Sequence, residues 1–220
     1  YWYITKYEKN KEYPIYTRKY MNLEAEEEIL IDVNELAKDY DYYQVSGISI
    51  SPDNKKMAFG VDTLSRRIYT IKVKDLGTGK MYPDKIHGVN SYTTWASDSK
   101  TMFYTGKDEQ TLRSDKIFRH TLGESQDDDT LVYEEKDETF STYVYPSKSR
   151  EYIMIGSTST MATEYRFLSS KTPLESFKVL QKRERGLEYS PSHVGDMFYI
   201  STNIDESTNF KLVKTPITST

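Results

Sequence analysis

The 220-residue sequence has no cysteine, which excludes disulfides and thiolate metal sites and permits a reducing compartment. Histidine is almost as scarce. His87, His120 and His193 are the only three, no two of them stand at metal-ligand spacing, and structural or surface roles are expected of all. No apolar run approaches the roughly 18 residues that a membrane span requires, so no membrane partner is expected. Charge of one sign is also missing. The 34 acidic and 30 basic residues leave a net charge of −4, without the clustered basic excess that nucleic acid demands. No Asn-x-Ser/Thr acceptor occurs. Glycine numbers only ten, and no pair brackets a serine as Gly-x-Ser-x-Gly, so no hydrolase nucleophile elbow lies within this chain. Gly77 and Gly79 lack the third glycine of a phosphate loop and read as a hairpin turn. Asp127-Asp128-Asp129 lacks the alternating oxygen ligands and closing Glu of a calcium loop. No catalytic constellation, metal or cofactor is expected.

What is present is aromatic and repetitive. The 20 tyrosines suit half-buried sheet positions, with the ring packed and the hydroxyl wet. Ile48 to Asp62 reads as two strand-like runs joined by Ser51-Pro52-Asp53-Asn54, with proline pre-set for the turn corner. The pattern returns at Thr94–Tyr104, Tyr143–Met154 and Glu188–Tyr199. With Met57, Met102, Tyr152 and Met197 as equivalents, the copies stand 45, 50 and 45 residues apart. A strand-rich period of about 40 to 50 residues is the signature of propeller blades. The fold class expected is all-β, a partial β-propeller of four-stranded antiparallel blades.

Taken in order, Tyr1–Tyr7 and Tyr13–Tyr20 alternate aromatic and polar residues as two antiparallel strands, and Glu28–Ile31 reads as a third. Asp32 caps a helical turn over 33–38. The next unit has strands at Gly47–Ile50, Met57–Asp62, Ile68–Lys74 and Met81–Tyr82. The unit after it has Tyr92–Ala96, Thr101–Thr105, Lys116–Leu122 and Leu131–Glu134. The third has Thr142–Tyr145, Tyr152–Ser157, Glu164–Leu168 and Phe177–Leu180. The last has Leu187–Ser190, Asp196–Thr202 and Phe210–Lys214. One domain over 1–220 is expected, with blade remnants at 1–38, 46–88, 91–135, 140–181 and 187–214. The leading remnant lacks an inner strand and the trailing one an outer strand. An open or partly open arc follows, and its exposed edges invite strand pairing between copies. The fourth copy aligns His193 with Asp53 and Asp98, as a turn residue.

In a blade the a–b and c–d turns share one face of the disc. The b–c loops and d-to-a connections share the other. The second set is longer and more charged, as binding loops are. It holds 64–67, 107–115, 158–163 and the connections 39–44 and 88–91. Asp39, Asp41, Arg66, Arg67 and Arg113 are the candidate residues for contact with a partner domain.

Several segments carry a resemblance in the right order: Tyr13-Pro14-Ile15-Tyr16-Thr17-Arg18, Ile31-Asp32-Val33-Asn34, Ile50-Ser51-Pro52-Asp53-Asn54 and Asp62-Thr63-Leu64-Ser65-Arg66-Arg67. Arg119-His120-Thr121-Leu122-Gly123, Tyr133-Glu134-Glu135-Lys136-Asp137 and Glu188-Tyr189-Ser190 continue it. Over nearly the whole chain these segments resemble the propeller of the oligopeptidase B (protease II) group, within the prolyl oligopeptidase family of serine peptidases. The resemblance implies about four to five blades of a seven-bladed open ring. It implies a catalytic Ser-Asp-His triad in a following hydrolase domain, to which no position here corresponds. It also implies short basic peptides as substrate, cleaved after Lys or Arg. The expectation is a non-catalytic gating fragment of such an enzyme, cut from a longer protein, with the hydrolase domain of the same parent chain as its partner. A cytoplasmic location is expected, with the periplasm left open. The alternative is a free-standing propeller that binds a peptide or glycan.

Overall fold

The computed structural model describes residues 1–219. Strands β1 (Trp2–Lys6), β2 (Ile15–Lys19) and β3 (Glu27–Asp32) form an antiparallel sheet in that order. A single helical turn, α1 (Val33–Leu36), follows, and the Asp32 carboxylate caps it by accepting from Asn34 N. Next come β4 (Gln44–Ile50), β5 (Lys56–Asp62), β6 (Tyr69–Asp75), β7 (Met81–Trp95), β8 (Thr101–Lys107), β9 (Ser114–Thr121) and β10 (Thr130–Glu134), hydrogen-bonded in sequence order as one seven-stranded sheet. A third sheet holds β11 (Ser141–Pro146), β12 (Tyr152–Thr158), β13 (Thr163–Ser169) and β14 (Lys178–Gln181). The last holds β15 (Tyr189–Val194), β16 (Met197–Thr202) and β17 (Lys211–Pro216). Every pairing is antiparallel between sequence neighbours, and the arc does not close. This is the partial propeller read from the repeats. Among the described residues no helix is long and apolar enough to cross a membrane.

Strand periodicity explains how the sheets stack. Successive side chains on a strand point to opposite faces. On β5, Met57, Phe59 and Val61 therefore pack against Leu30, Ile31, Val33 and Tyr43, while Ala58 packs with Ile71, Ile86 and Met102. On β8, Met102 and Tyr104 join that second core, whereas Phe103 turns into the next one with Ile117, Ile153 and Ile155. Each such strand is thus buried on both faces, and each fully buried large apolar side chain contributes about 1.5–3 kcal/mol. On β6, by contrast, Tyr69, Ile71 and Val73 are buried and the intervening Thr70, Lys72 and Lys74 are only partly covered, the alternation expected of a strand with one wetter face.

Two features differ from the reading of the sequence. The connection expected over 88–91 is strand: β7 runs unbroken for 15 residues and serves both as outer strand of one blade and inner strand of the next. Gly88 and Asn90 look like breakers, yet the chain accommodates Gly88 at φ +72° and shifts register between Val89 and Thr93, so a bulge replaces the loop. The bend brings Ser91 onto β4 and β5. A Cβ at Gly47 would lie 2.0 Å from Ser91 O, and one at Gly60 would lie 2.8 Å from Ser91 Cα. The fourth repeat is also misaligned. Ser190, Pro191 and Ser192 lie within β15, and His193 is a buried strand residue opposite Phe198. The turn falls instead at Gly195-Asp196, where glycine at φ +63° provides the two-residue hairpin between Val194 and Met197.

Candidate docking face

Asp62 ends β5 with only 1% of its surface exposed. Its carboxylate accepts from Leu64 N at 2.9 Å and from Arg67 N at 2.8 Å, pinning the loop that follows. Ser65 and Arg67 take left-handed backbone, φ +56° and +57°, a conformation uncommon for residues with a Cβ. Lys107 Nζ donates to Arg67 O at 2.8 Å and ties the loop to the end of β8. Burial, then the nearby Arg67 charge, lowers the Lys107 pKa. Held in this way, Leu64 stands 74% exposed and Arg66 is exposed beside it.

Gln44 pairs with Asp62 across β4 and β5, and its Oε1 accepts from Tyr42 OH at 2.9 Å and Tyr69 OH at 3.0 Å. The Asp39–Tyr43 connection and the Asp62–Arg67 loop therefore lie at the same end of the β4–β5 pair. Asp39, Asp41, Arg66 and Arg67 are all exposed there, and none makes a side-chain hydrogen bond or ion pair among the described residues. Arg113 sits further along the same side and is already engaged. Its Nε donates to Phe140 O at 3.0 Å, and its Nη2 donates to Glu135 O at 2.8 Å and Asp137 O at 2.6 Å. It staples the loop after β8 to the connection between the second and third sheets.

The same face holds a cluster that sequence reasoning missed. Arg183 Nη2 donates to Glu135 Oε2 at 2.5 Å and to Glu164 Oε1 at 3.3 Å, and its guanidinium lies 3.9 Å from the centre of the Phe140 ring. Arg166 stacks on Tyr133 at 4.2 Å and pairs with Glu164 at 2.6 Å. Burial would raise the Glu135 and Glu164 pKa values, but the arginines and backbone donors outweigh it and hold both low. Burial likewise works against the Arg183 charge, and its two carboxylates overcome that and raise its pKa. Glu135 and Arg183 are 48 residues apart, so no local spacing announced the pair.

The opposite face is stitched by its short turns. Ser99 Oγ accepts from Asp53 N at 3.1 Å. Ser97 N donates to Ser170 O at 2.8 Å, and Ser170 Oγ donates to Arg150 O at 2.9 Å. Ser149 Oγ lies 2.8 Å from His193 Nδ1. A serine beside an imidazole suggests a nucleophile and base, but His193 Nε2 is buried with no hydrogen-bond partner among the described residues, and no acid orients the ring. Tyr152 and Phe198 instead pack edge-on against it. It is a pin between neighbouring sheets. Asp53 keeps its turn role: burial pushes its pKa up, but bonds from Ser51, Lys55 N and Lys56 prevail and hold it at about 2. A cavity of about 460 Å³ opens on this side, where Ile50, Trp95, Pro146 and Tyr152 of successive sheets converge on Tyr3 of β1. Among the described residues no group of three or more His, Asp or Glu side chains is placed to hold a metal ion.

These observations define a class, an open β-propeller whose polar clusters serve the joints between its sheets. Comparison with known proteins gives the family. The model of the prolyl oligopeptidase N-terminal β-propeller domain matches residues 1–220, and the chain belongs to that family. It is 37% identical to dipeptidyl aminopeptidase BI of Pseudoxanthomonas mexicana, over 100% of this chain and 32% of that protein. It is 33% identical to Protease 2 of Moraxella lacunata, over 99% of this chain and 32% of that protein. The solved structure of oligopeptidase B from Leishmania major superposes with a TM-score of 0.90 at 30% identity, covering 97% of this chain and 31% of that one. The chain thus spans about a third of the length of the curated relatives it matches.

Proposed function

We propose that this chain is the non-catalytic, gating propeller of an oligopeptidase B-like serine endopeptidase that hydrolyses short peptides after Lys or Arg. In this reading it limits substrate size and docks a hydrolase domain of the same parent protein. The supporting observation is the pinned loop after Asp62. Two left-handed residues and a buried carboxylate hold Leu64 and Arg66 outward, and such cost is retained where a partner uses the presented side chains. Asp39, Asp41 and Arg67 flank that tip as the remaining contacts, while Arg113 sets the height of the neighbouring loop. An arc of propeller placed over a peptidase cleft excludes folded proteins by sterics and admits flexible peptides.

The test is charge reversal. The chain is expressed together with the remainder of its parent polypeptide, and association is compared for the native chain and the Arg66→Glu/Arg67→Glu pair. A loss of association of tenfold or more is expected, and unchanged association would refute the docking role. The relative named a dipeptidyl aminopeptidase favours a second reading, in which the parent removes dipeptides from a free amino terminus. Peptides with blocked and free amino termini separate the two, because only an endopeptidase accepts both.

A further inference from the structure

A second buried cluster lies away from the docking loops, at the joint between the two blades that share β7. His120, on β9, is 1% exposed, and both of its ring nitrogens face carboxylates: Nε2 lies 3.0 Å from Asp84 Oδ1 on β7, and Nδ1 lies 2.6 Å from Asp129 Oδ1. Tyr104 OH, from β8, donates to Asp129 Oδ2 at 2.7 Å, and Gly123 N donates to Asp84 Oδ1 at 2.5 Å. Among the described residues Asp84, Asp129 and Tyr104 are the titratable groups bonded to the ring or to its two carboxylates. Gln126 adds a further tie, its Oε1 accepting from His87 N at 2.8 Å and its Nε2 donating to His87 O at 3.0 Å. The turn from Thr121 to Asp129 is therefore fastened to β7 at three points.

A neutral imidazole carries one N–H and can donate to only one of two ionised carboxylates. The arrangement is satisfied when the ring holds both protons as an imidazolium. Asp84 Oδ2 is buried with no partner among the described residues, so the cluster has an acceptor to spare and no donor to spare. Loss of one ring proton would set a nitrogen lone pair against a carboxylate oxygen where solvent does not reach, and unpaired buried polar atoms are costly. We propose that Asp84, His120 and Asp129 form a proton-held lock between the two blades, closed while His120 keeps both ring protons and released when one is lost. The direction of titration agrees. Burial alone would lower the His120 pKa, and the Asp129 and Asp84 contacts overcome it and raise it. Stability from this group is complete below the unfolded value of about 6.5 and declines as pH rises through the higher folded value.

The experiment uses the 220-residue chain labelled at the histidine ring carbons, with the His120 resonance assigned by its loss in His120→Gln. Should that variant fail to fold, the resonance displaced by Asp129→Asn makes the assignment. The His120 ring is expected to keep its second proton above the ordinary imidazole value of about 6.5, and Asp129→Asn is expected to weaken proton binding by about tenfold. The difference in melting temperature between native chain and Asp129→Asn should shrink steadily from pH 7 to pH 10. A His120 ring that loses its second proton at or below the ordinary imidazole value of about 6.5, or a melting difference independent of pH, overturns the proposal.

Discussion

Gly47 gives the sharpest test of how the inner strands approach one another. It sits at φ +66° in the irregular part of the β4–β5 pairing. An added Cβ would lie 2.0 Å from Ser91 O, 2.4 Å from Ser91 C and 2.9 Å from Tyr92 N. All three atoms are backbone, so no rotamer change relieves the contact. Restoring an ordinary separation needs β7 to retreat by about 1.4 Å from a position packed on both sides. The left-handed backbone costs an L-residue about 1–2 kcal/mol, and forcing packed backbone apart adds about 1–3 kcal/mol. Gly47→Ala should therefore lose about 2–5 kcal/mol in urea denaturation at 25 °C. Gly79→Ala is the matched control, since Gly79 has φ +73° and nothing within 4 Å of its added Cβ. It should lose only the conformational part, about 1–2 kcal/mol. Equal losses for the two variants would refute the claim that close approach to Ser91, rather than backbone conformation, requires glycine at position 47.

The remaining predictions concern charge. Arg183→Ala leaves Glu135, 4% exposed, without its cation and Glu164, 5% exposed, with Arg166 alone, and should destabilise the chain by about 2–3 kcal/mol at pH 7, discounted because the guanidinium itself is partly exposed. The gap should narrow in melts at pH 4, because both carboxyls can then take up protons; a gap that stays constant counts against the network. Asp53, held at about 2, stabilises the fold above the unfolded carboxylate value and loses that contribution as pH falls toward 2. Because the group is partly solvated, Asp53→Asn should cost about 1 kcal/mol at pH 7 and little at pH 2, read from urea midpoints at both.

The strands were legible because β-sheet periodicity is local. The alternation over Ile68–Lys74 and the Ser-Pro-Asp turn after Ile50 each lie within a few residues. Asp32 as helix cap and Asp53 as turn residue followed from side chains bonding to their own neighbourhood. The loop after Asp62 was legible as a loop, since Asp62 precedes a charged stretch at a strand end. Its conformation was not, because left-handed backbone at Ser65 and Arg67 is imposed by the Asp62 carboxylate and by Lys107, 40 residues from Arg67. Continuity of β7 escaped reading because Gly88 and Asn90 resemble breakers, while pairing with β6 and β8 and the close approach of Ser91 to Gly47 and Gly60 depend on distant residues. Ser190-Pro191-Ser192 resembles the Ser-Pro-Asp turn and so points to a turn at His193, whereas Gly195 takes the turn. The Asp84–His120–Asp129 and Glu135–Arg183 clusters assemble across 36 and 48 residues, and such pairs leave no periodic trace.

On the proposed reading the propeller carries no chemistry of its own and acts on a peptidase domain of the same parent protein. Incubation of the purified 220-residue chain with a short arginine-containing peptide tests it most directly. The expected result is no turnover above the buffer rate; hydrolysis that copurifies with the chain and disappears on Ser149→Ala would contradict the account.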